Sequence, residues 1–449
     1  MCPPTESTPE PTSTPTPPEP MKAVVRPPWW RSIGPALITA CVVFGPGSLV
    51  ISSRVGATYG YDLIWLLLLT GVLMGTYLSM GARIGVAGGA SGCTLLAREL
   101  GRPIALLLGV TLCLTCAAFQ VSNNLAVVMT VGALVPETVR DWVTPLALVT
   151  LNVVLIYFLF SAREVYQAIE RVMKVMVGVV LVSFLFNLLV ARPDYLAVLS
   201  GIIPQFPEGL EFGIPQRVGD SIEDPLILIA SLVGTTFSVA GAFFQSNLVG
   251  EKGWTGEDYD RSIGDALTGV GVLTLVSMVI MITAGTVILG KPADNIGDLA
   301  LTLQPLLGPT AFAVFCVGLF AVAMNPFLIN AMIGGTILAD GAGTPAKLSD
   351  FWPRMLTVLV LLSAMAVALV ALFTGDEPQP PVNLMIFAQA MTVLGNPLMA
   401  GAMLYLANRS EVMGKRRNRT ATNLLGGIGF VVVLLLAVRV LWRVILQLI

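Results

Sequence analysis

The 449-residue chain is 55% hydrophobic and 12% charged, holds no histidine, and has a mean hydropathy of +0.83. Soluble chains carry about twice that share of charge, so composition excludes a string of soluble domains and points to one polytopic membrane unit. The 25 basic and 27 acidic residues give a net charge of −2, which excludes a nucleic-acid footprint. Without histidine the chain also lacks the commonest metal ligand and the side chain that titrates nearest neutrality.

Residues 1–28, beginning MCPPTESTPEPTSTPTPPEP, are rich in Pro, Thr, Ser and Glu. They bury nothing, read as a solvated cytoplasmic tail, and hold no apolar run of the signal-peptide kind. Eleven apolar segments are expected after them, at about 33–57, 63–81, 103–132, 143–160, 172–190, 226–249, 266–289, 310–338, 355–373, 383–406 and 424–447. They divide the chain into a first five-helix unit (29–190), an extracytoplasmic connection (191–225), a second five-helix unit (226–408), and a basic loop with a last helix (409–449). Cys113 and Cys116, one turn apart in an apolar segment, read as helix-packing residues, and no secreted disulfide framework is expected. Placing the N-terminus in the cytoplasm leaves Arg54, Arg140, Arg192, Arg217, Lys291, Arg439 and Arg443 outside and the other 18 of the 25 basic residues inside. That count predicts N-terminus in and C-terminus out, in the cell (inner) membrane.

Two segments carry a break. The first holds Gly45-Pro46-Gly47 at its middle and the sixth holds Val239-Ala240-Gly241. Proline removes a backbone donor, and lipid tolerates such a break only where the freed groups line protein or a cavity. Breaks at matching positions of two five-helix halves are the sequence sign of an inverted-repeat secondary transporter with a mid-membrane site.

The residues then carry a family. SIGPALITACVVFGPGSLVISSRVGATYGYDLIWLLLLTGVLMGTYLSMGARIGVAGG resembles the first two helices of the NRAMP family of proton-coupled divalent-metal transporters. SLVGTTFSVAGAFFQSNLV resembles their sixth helix, VGLFAVAMNPFLINAMIGGTILADG the eighth, and FAQAMTVLGNPLMAGAMLYLANRSEVMG the tenth. The resemblance runs in order from about residue 32 to 414. It implies an all-α polytopic membrane protein of LeuT-type fold: two inverted five-helix repeats plus an eleventh transmembrane helix, and no enzyme.

The departures fall on the family's working residues. Where the family's first helix reads Asp-Pro-Gly-Asn, with Asp and Asn on the metal, this chain has Gly45 and Ser48. The family's sixth-helix Met-Pro-His is Ser238-Val239-Ala240, and a second family histidine is Gln245. An Asp-x-x-Glu of the family's proton pathway reads Gln120-Val121-Ser122-Asn123, and a fourth-helix Asp reads Asn152. Gln389 matches the family's binding set. A divalent ion 4 Å from one carboxylate gains about 8 kcal/mol at an effective dielectric near 20, before desolvation. With that carboxylate gone, and with no sulfur or imidazole donor, the resemblance no longer implies transition-metal binding. Neutral amides also carry no proton at physiological pH.

The expected site therefore comprises Gly45, Pro46, Gly47, Ser48, Ser238, Val239, Ala240, Gly241 and Gln389, with Gln120, Asn123, Gln245 and Asn325 along a pathway. Half-helix N-termini near Ser48 and Ala242 favour an anionic group, and no acid stands beside them. The substrate expected is a bicarbonate-sized anion or a small neutral solute. No metal site and no cofactor are implied, the partners are that solute and the lipid bilayer, and the coupling ion stays open. The alternatives are a Mg2+ or Mn2+ transporter with an altered site and a non-transporting NRAMP-like sensor. Among other charges, Arg54 reads as a solvated interfacial residue, and Glu223 and Asp224 as acids that complement the start of the sixth segment. Glu170, Arg171 and Lys174 read as an inner surface network.

Overall fold

The computed structural model describes residues 44–161, 178–179, 181–219, 221–251, 259–291, 293–373 and 381–448. The Pro/Thr-rich tail, residues 33–43 of the first segment, and Glu170, Arg171 and Lys174 lie outside the described residues.

Each of the eleven expected segments has helix in its described part. The first gives α1 (Pro46–Tyr59), and α2 (Ile64–Gly88), α4 (Arg102–Leu134) and α5 (Glu137–Ser161) follow, with a short α3 (Gly92–Leu100) between α2 and α4. The described part of the fifth is α6 (Leu181–Ala191). The connection that follows holds α7 (Tyr195–Ser200) and a two-strand hairpin of β1 (Gln216–Val218) and β2 (Ser221–Glu223). The second half runs through α8 (Ile227–Thr236), α9 (Val239–Glu251), α10 (Tyr259–Val287), a short α11 (Ile296–Ala300), α12 (Ala311–Ala342) and α13 (Phe351–Phe373). α14 (Pro381–Met391) and α15 (Asn396–Asn408) are joined by a single 3-10 turn, and α16 (Thr420–Leu448) ends the chain. Among the described residues, nine helical stretches are long and apolar enough to cross a membrane.

The exposure pattern suits a bilayer. α5 and α16 turn Leu146, Val153, Tyr157, Leu435 and Val438 outward, while Leu49, Val50, Tyr77, Phe237 and Phe243 fill the interior. Lipid tails are as apolar as leucine, so helices associate through close packing of small residues. Gly56 of α1 shows this against α10, because a Cβ there would stand 2.2 Å from the Met281 carbonyl. Gly81 of α2 does the same against α9, with the Ala242 carbonyl 2.0 Å from its would-be Cβ.

A helix starts at the first expected break, and the break in the sixth segment exists but sits earlier than expected. α1 starts at Pro46, with Gly45 as an extended N-cap (φ −104, ψ 169); proline at the first helical position loses nothing, since that N–H has no intrahelical partner. In the sixth segment α8 ends at Thr236 and the interruption is Phe237-Ser238, so Val239, Ala240 and Gly241 form the first turn of α9. The half-helix N-terminus is therefore at Val239 and not near Ala242. The cause is local: the Ser238 hydroxyl accepts from the Gly241 N–H at 3.4 Å and caps α9, the role serine fills best at that position.

Several charged residues differ from their sequence reading. Arg54 pairs with Asp294, fastening α1 to the segment before α11. Asp224 caps the Leu226 N–H at 3.2 Å but also takes Arg439 and, at 3.7 Å, Arg443, both from α16. Two arginines four residues apart thus clamp the start of α8. Outside the membrane, Arg409 donates to Glu99 of α3 at 2.9 Å, and that bond, with the charges of nearby residues, raises its pKa.

Candidate substrate site

The candidate site is assembled by the α14–α15 unit, which touches the start of α1 and the break between α8 and α9. Gln389 on α14 lies directly over Gly47: a Cβ there would be 2.4 Å from the carboxamide nitrogen and 2.6 Å from its carbon. The Gln389 backbone carbonyl packs on Gly234 of α8, 2.5 Å from where a Cβ would stand. Seven residues on, beyond the 3-10 turn, Asn396 donates to the Phe237 carbonyl at 3.2 Å. That carbonyl lies at the break, where the Gly241 N–H goes to the Ser238 hydroxyl instead; it accepts from Asn396 and from the Val239 N–H at 3.1 Å, and a carbonyl left unpartnered inside a membrane costs several kcal/mol. Ser231 adds a third link, donating to Ile386 of α14 at 2.7 Å. On the other side, Pro326 of α12 comes within 3.7 Å of the Cβ position of Gly45.

Around this junction Pro46, Gly47, Ser48, Val239, Ala240 and Gln389 are buried, whereas Gly45, Ser238, Gly241 and Gln245 are half-buried. The N–H groups of Ser48 and Leu49 return to the Gly45 carbonyl at 3.1 and 3.4 Å. Pro46 has no N–H, so Gly47 is the donor left in the first turn of α1. In α9, Val239 bonds back to Phe237 at 3.1 Å and Gly241 to Ser238, leaving Ala240. The Gln389 Oε1 is buried without a partner, as are the Ser52 and Ser53 hydroxyls on α1. The site thus offers neutral donors and acceptors with small walls, and among its side chains none is ionised. No group of three His, Cys, Asp or Glu side chains able to hold a metal exists among the described residues.

Gln120 and Asn123 sit in a separate buried carboxamide ladder between α4 and α5. Asn123 donates to Gln120 Oε1 at 3.0 Å, Asn124 to the Gln120 carbonyl at 2.9 Å, and Asn152 to Asn124 Oδ1 at 2.9 Å. Gln245 flanks Gly81 of α2, and Asn325 precedes Pro326 within α12. Sequence reasoning missed Asn396, Pro326 and Ser231; the seven-residue spacing of Gln389 and Asn396 was the signal for the first. It also missed Asp340 of α12, which accepts from Thr94 of α3 at 2.9 Å and Asn247 of α9 at 3.4 Å.

The contact of Gly47 with Gln389 gives a direct test. Gly47→Ala overpacks three atoms of Gln389 and is expected to lower stability by about 1–3 kcal/mol, read as a drop in thermal midpoint. Adding Gln389→Ala makes room, so the double variant is expected to regain the midpoint and still lack uptake. Equal midpoints for wild type and Gly47→Ala would contradict the packing described.

The interrupted α8–α9 helix and the start of α1, both held by the α14–α15 unit, fit the class of helical membrane transporters of the LeuT-type fold. The model of the Natural resistance-associated macrophage protein-like family matches residues 36–443, and the chain belongs to that family, the NRAMP family, whose members are transporters and not enzymes. Among curated relatives it is 24% identical over 418 residues to the divalent metal cation transporter MntH of Deinococcus radiodurans, covering 92% of this chain and 89% of that protein. The MntH of a Staphylococcus aureus strain is likewise 24% identical, over 409 residues, with 88% and 86% covered. Among solved structures, a variant of the Eremococcus coleocola manganese transporter superposes with a TM-score of 0.74 at 17% identity, covering 94% of this chain and 88% of that one. Mhp1 in its inward-facing conformation gives 0.54 at 13% identity, covering 92% and 90%. These likenesses establish the fold.

Proposed function

We propose that this NRAMP-family transporter moves a small anion of bicarbonate size, or a small neutral solute, by alternating access, and does not carry transition metals. The observation that supports this most is the uncharged junction itself: Gly45, Ser48, Ser238 and Ala240 stand where the family places its metal ligands, and among the described residues no carboxylate belongs to the junction at the starts of α1 and α9. Each start carries about half a positive charge, and the Gly47 and Ala240 N–H groups are placed to donate. The unpartnered Gln389 Oε1 is an acceptor, which suits an anion that also carries a hydroxyl, as bicarbonate does. Gln120 and Asn123 cannot take up protons, so the reading includes transport without a proton relay through α4. It also includes the orientation expected from the basic residues, N-terminus cytoplasmic and C-terminus extracytoplasmic in the inner membrane.

The second reading is a divalent-metal transporter with altered ligands, favoured by the relatives, which are named divalent metal cation transporters. One experiment separates the two: uptake into proteoliposomes of labelled bicarbonate, a small neutral solute, manganese and magnesium, each with and without a pH gradient. Bicarbonate or neutral-solute uptake unchanged by Asn123→Asp is the expected outcome. Saturable manganese or magnesium uptake would replace the first reading with the second.

A further inference from the structure

A cavity of about 490 Å³ opens away from the helix breaks, where the end of α4 meets the start of α5, the segment before α11 and the end of α13. Its lower walls are Val128, Met129, Ile296, Leu372 and Phe373, and its polar groups are Arg140, Asp141, Thr144 and Asn295. Thr144 is 3% exposed, yet its hydroxyl has no hydrogen-bond partner. A buried hydroxyl normally has one. Gly132 forms the wall beneath it, with both the Thr144 Oγ1 and the Arg140 Cδ 3.9 Å from its would-be Cβ. Pro145 lies inside α5 and carries no N–H, so the Asp141 carbonyl has no donor from one turn on. The Arg140 guanidinium meets Glu137 only at 3.9 Å, both of them exposed, a pairing that contributes little. Asn295, by contrast, is engaged as the cap of α11, accepting from the Asp298 N–H at 2.9 Å.

The cavity therefore joins a guanidinium, a carboxylate and an unpartnered hydroxyl to an apolar floor. Its surroundings indicate the occupant. Beside it Trp142, Leu146 and Val153 on α5 and Phe373 on α13 are all exposed. An exposed tryptophan above exposed aliphatic residues marks the level where headgroups meet acyl chains.

We propose that this cavity binds the headgroup of one zwitterionic phospholipid, the phosphate on Arg140 and Thr144 and the ammonium on Asp141, with the acyl chains along Leu372, Phe373 and the outer face of α5. Arginine suits phosphate because its donors are fixed in a fork, and the neighbouring carboxylate selects a cationic headgroup over an anionic one. The test is native mass spectrometry of the full chain, purified in detergent and stripped of lipid. It is titrated separately with phosphatidylethanolamine, phosphatidylglycerol and the soluble headgroup glycerophosphoethanolamine. Wild type is expected to retain one phosphatidylethanolamine, about tenfold more tightly than phosphatidylglycerol. Arg140→Gln is expected to lose about tenfold, as for one charge-assisted hydrogen bond, and Asp141→Asn to erase the preference between the two lipids. Thr144→Val, which keeps the shape and removes the hydroxyl, is expected to weaken retention and decides the matter if Arg140→Gln does not purify as a single species. Equal retention by wild type and Thr144→Val would overturn the site. Binding of glycerophosphoethanolamine as tight as that of the lipid would overturn the lipid as its occupant.

Discussion

Gly45→Asp is expected to abolish anion uptake, whereas Gly45→Asn reduces it modestly and Gly45→Ala least. The reasoning starts from geometry. Gly45 has φ −104, so any L-residue fits its backbone, and the nearest atom to a new Cβ is the Pro326 Cγ at 3.7 Å. That is ordinary contact, so alanine tests bulk alone. Asparagine adds the shape of aspartate without charge. Aspartate adds a unit negative charge beside the start of α1, and at 4 Å with an effective dielectric near 20 this repels a bound anion by about 4 kcal/mol, or about three decades in affinity. The measurement is labelled bicarbonate uptake into liposomes for all three variants, each checked for a single peak by size-exclusion chromatography. Equal impairment by Asp and Asn would remove charge as the discriminator and, with it, the anionic substrate.

Calorimetric titration of the purified protein with manganese is expected to show no binding up to millimolar concentration. The lost carboxylate alone corresponds to about 8 kcal/mol of attraction for a divalent ion before desolvation, or roughly six decades. The remaining oxygen donors, Ser48 and the Gln389 carboxamide, are neutral, and neither a thioether nor an imidazole stands at the family's ligand positions. Partial restoration is expected from Gly45→Asp with Ser48→Asn, which returns the first-helix pair. Ser238→Met is the poorer choice for this purpose. The hydroxyl it removes caps α9, and loss of such a cap costs about 0.5–2 kcal/mol of stability. Micromolar manganese affinity in the unaltered protein would show that backbone carbonyls and neutral side chains suffice, and would remove the metal-free reading.

The start of α1 and the break between α8 and α9 illustrate what kind of information sequence holds. Gly45-Pro46-Gly47 was legible because proline acts on its own backbone: the missing donor and fixed φ set the helix start whatever surrounds it. The sixth-segment interruption was legible only approximately. Val239, Ala240 and Gly241 are small, and small residues are equally at home in the first turn of a helix. The position was decided by the Ser238 cap on one side and by Asn396 holding the Phe237 carbonyl on the other, and the second partner lies 159 residues away. The carboxamide ladder was half legible in the same sense: Gln120, Asn123 and Asn152 were identified, but Asn124, which joins α4 to α5, appears only once the two helices are side by side.

Sequence by itself determined the membrane class, the all-helical LeuT-type fold, the family, and the uncharged residue types at Gly45, Ser48, Ser238 and Gln389. These follow from local chemistry: hydropathy over the thickness of a bilayer, and residue type at aligned positions. Only the tertiary structure decided which polar groups meet. It placed Gln389 on Gly47 and gave Arg54 to Asp294. It turned Asp224 from a simple helix-start acid into the anchor of two arginines from the last helix. It also left the Thr144 hydroxyl buried and unpartnered over a cavity. A polar group's partner in a membrane is set by which helices pack together, and that packing depends on small-residue contacts between segments hundreds of residues apart.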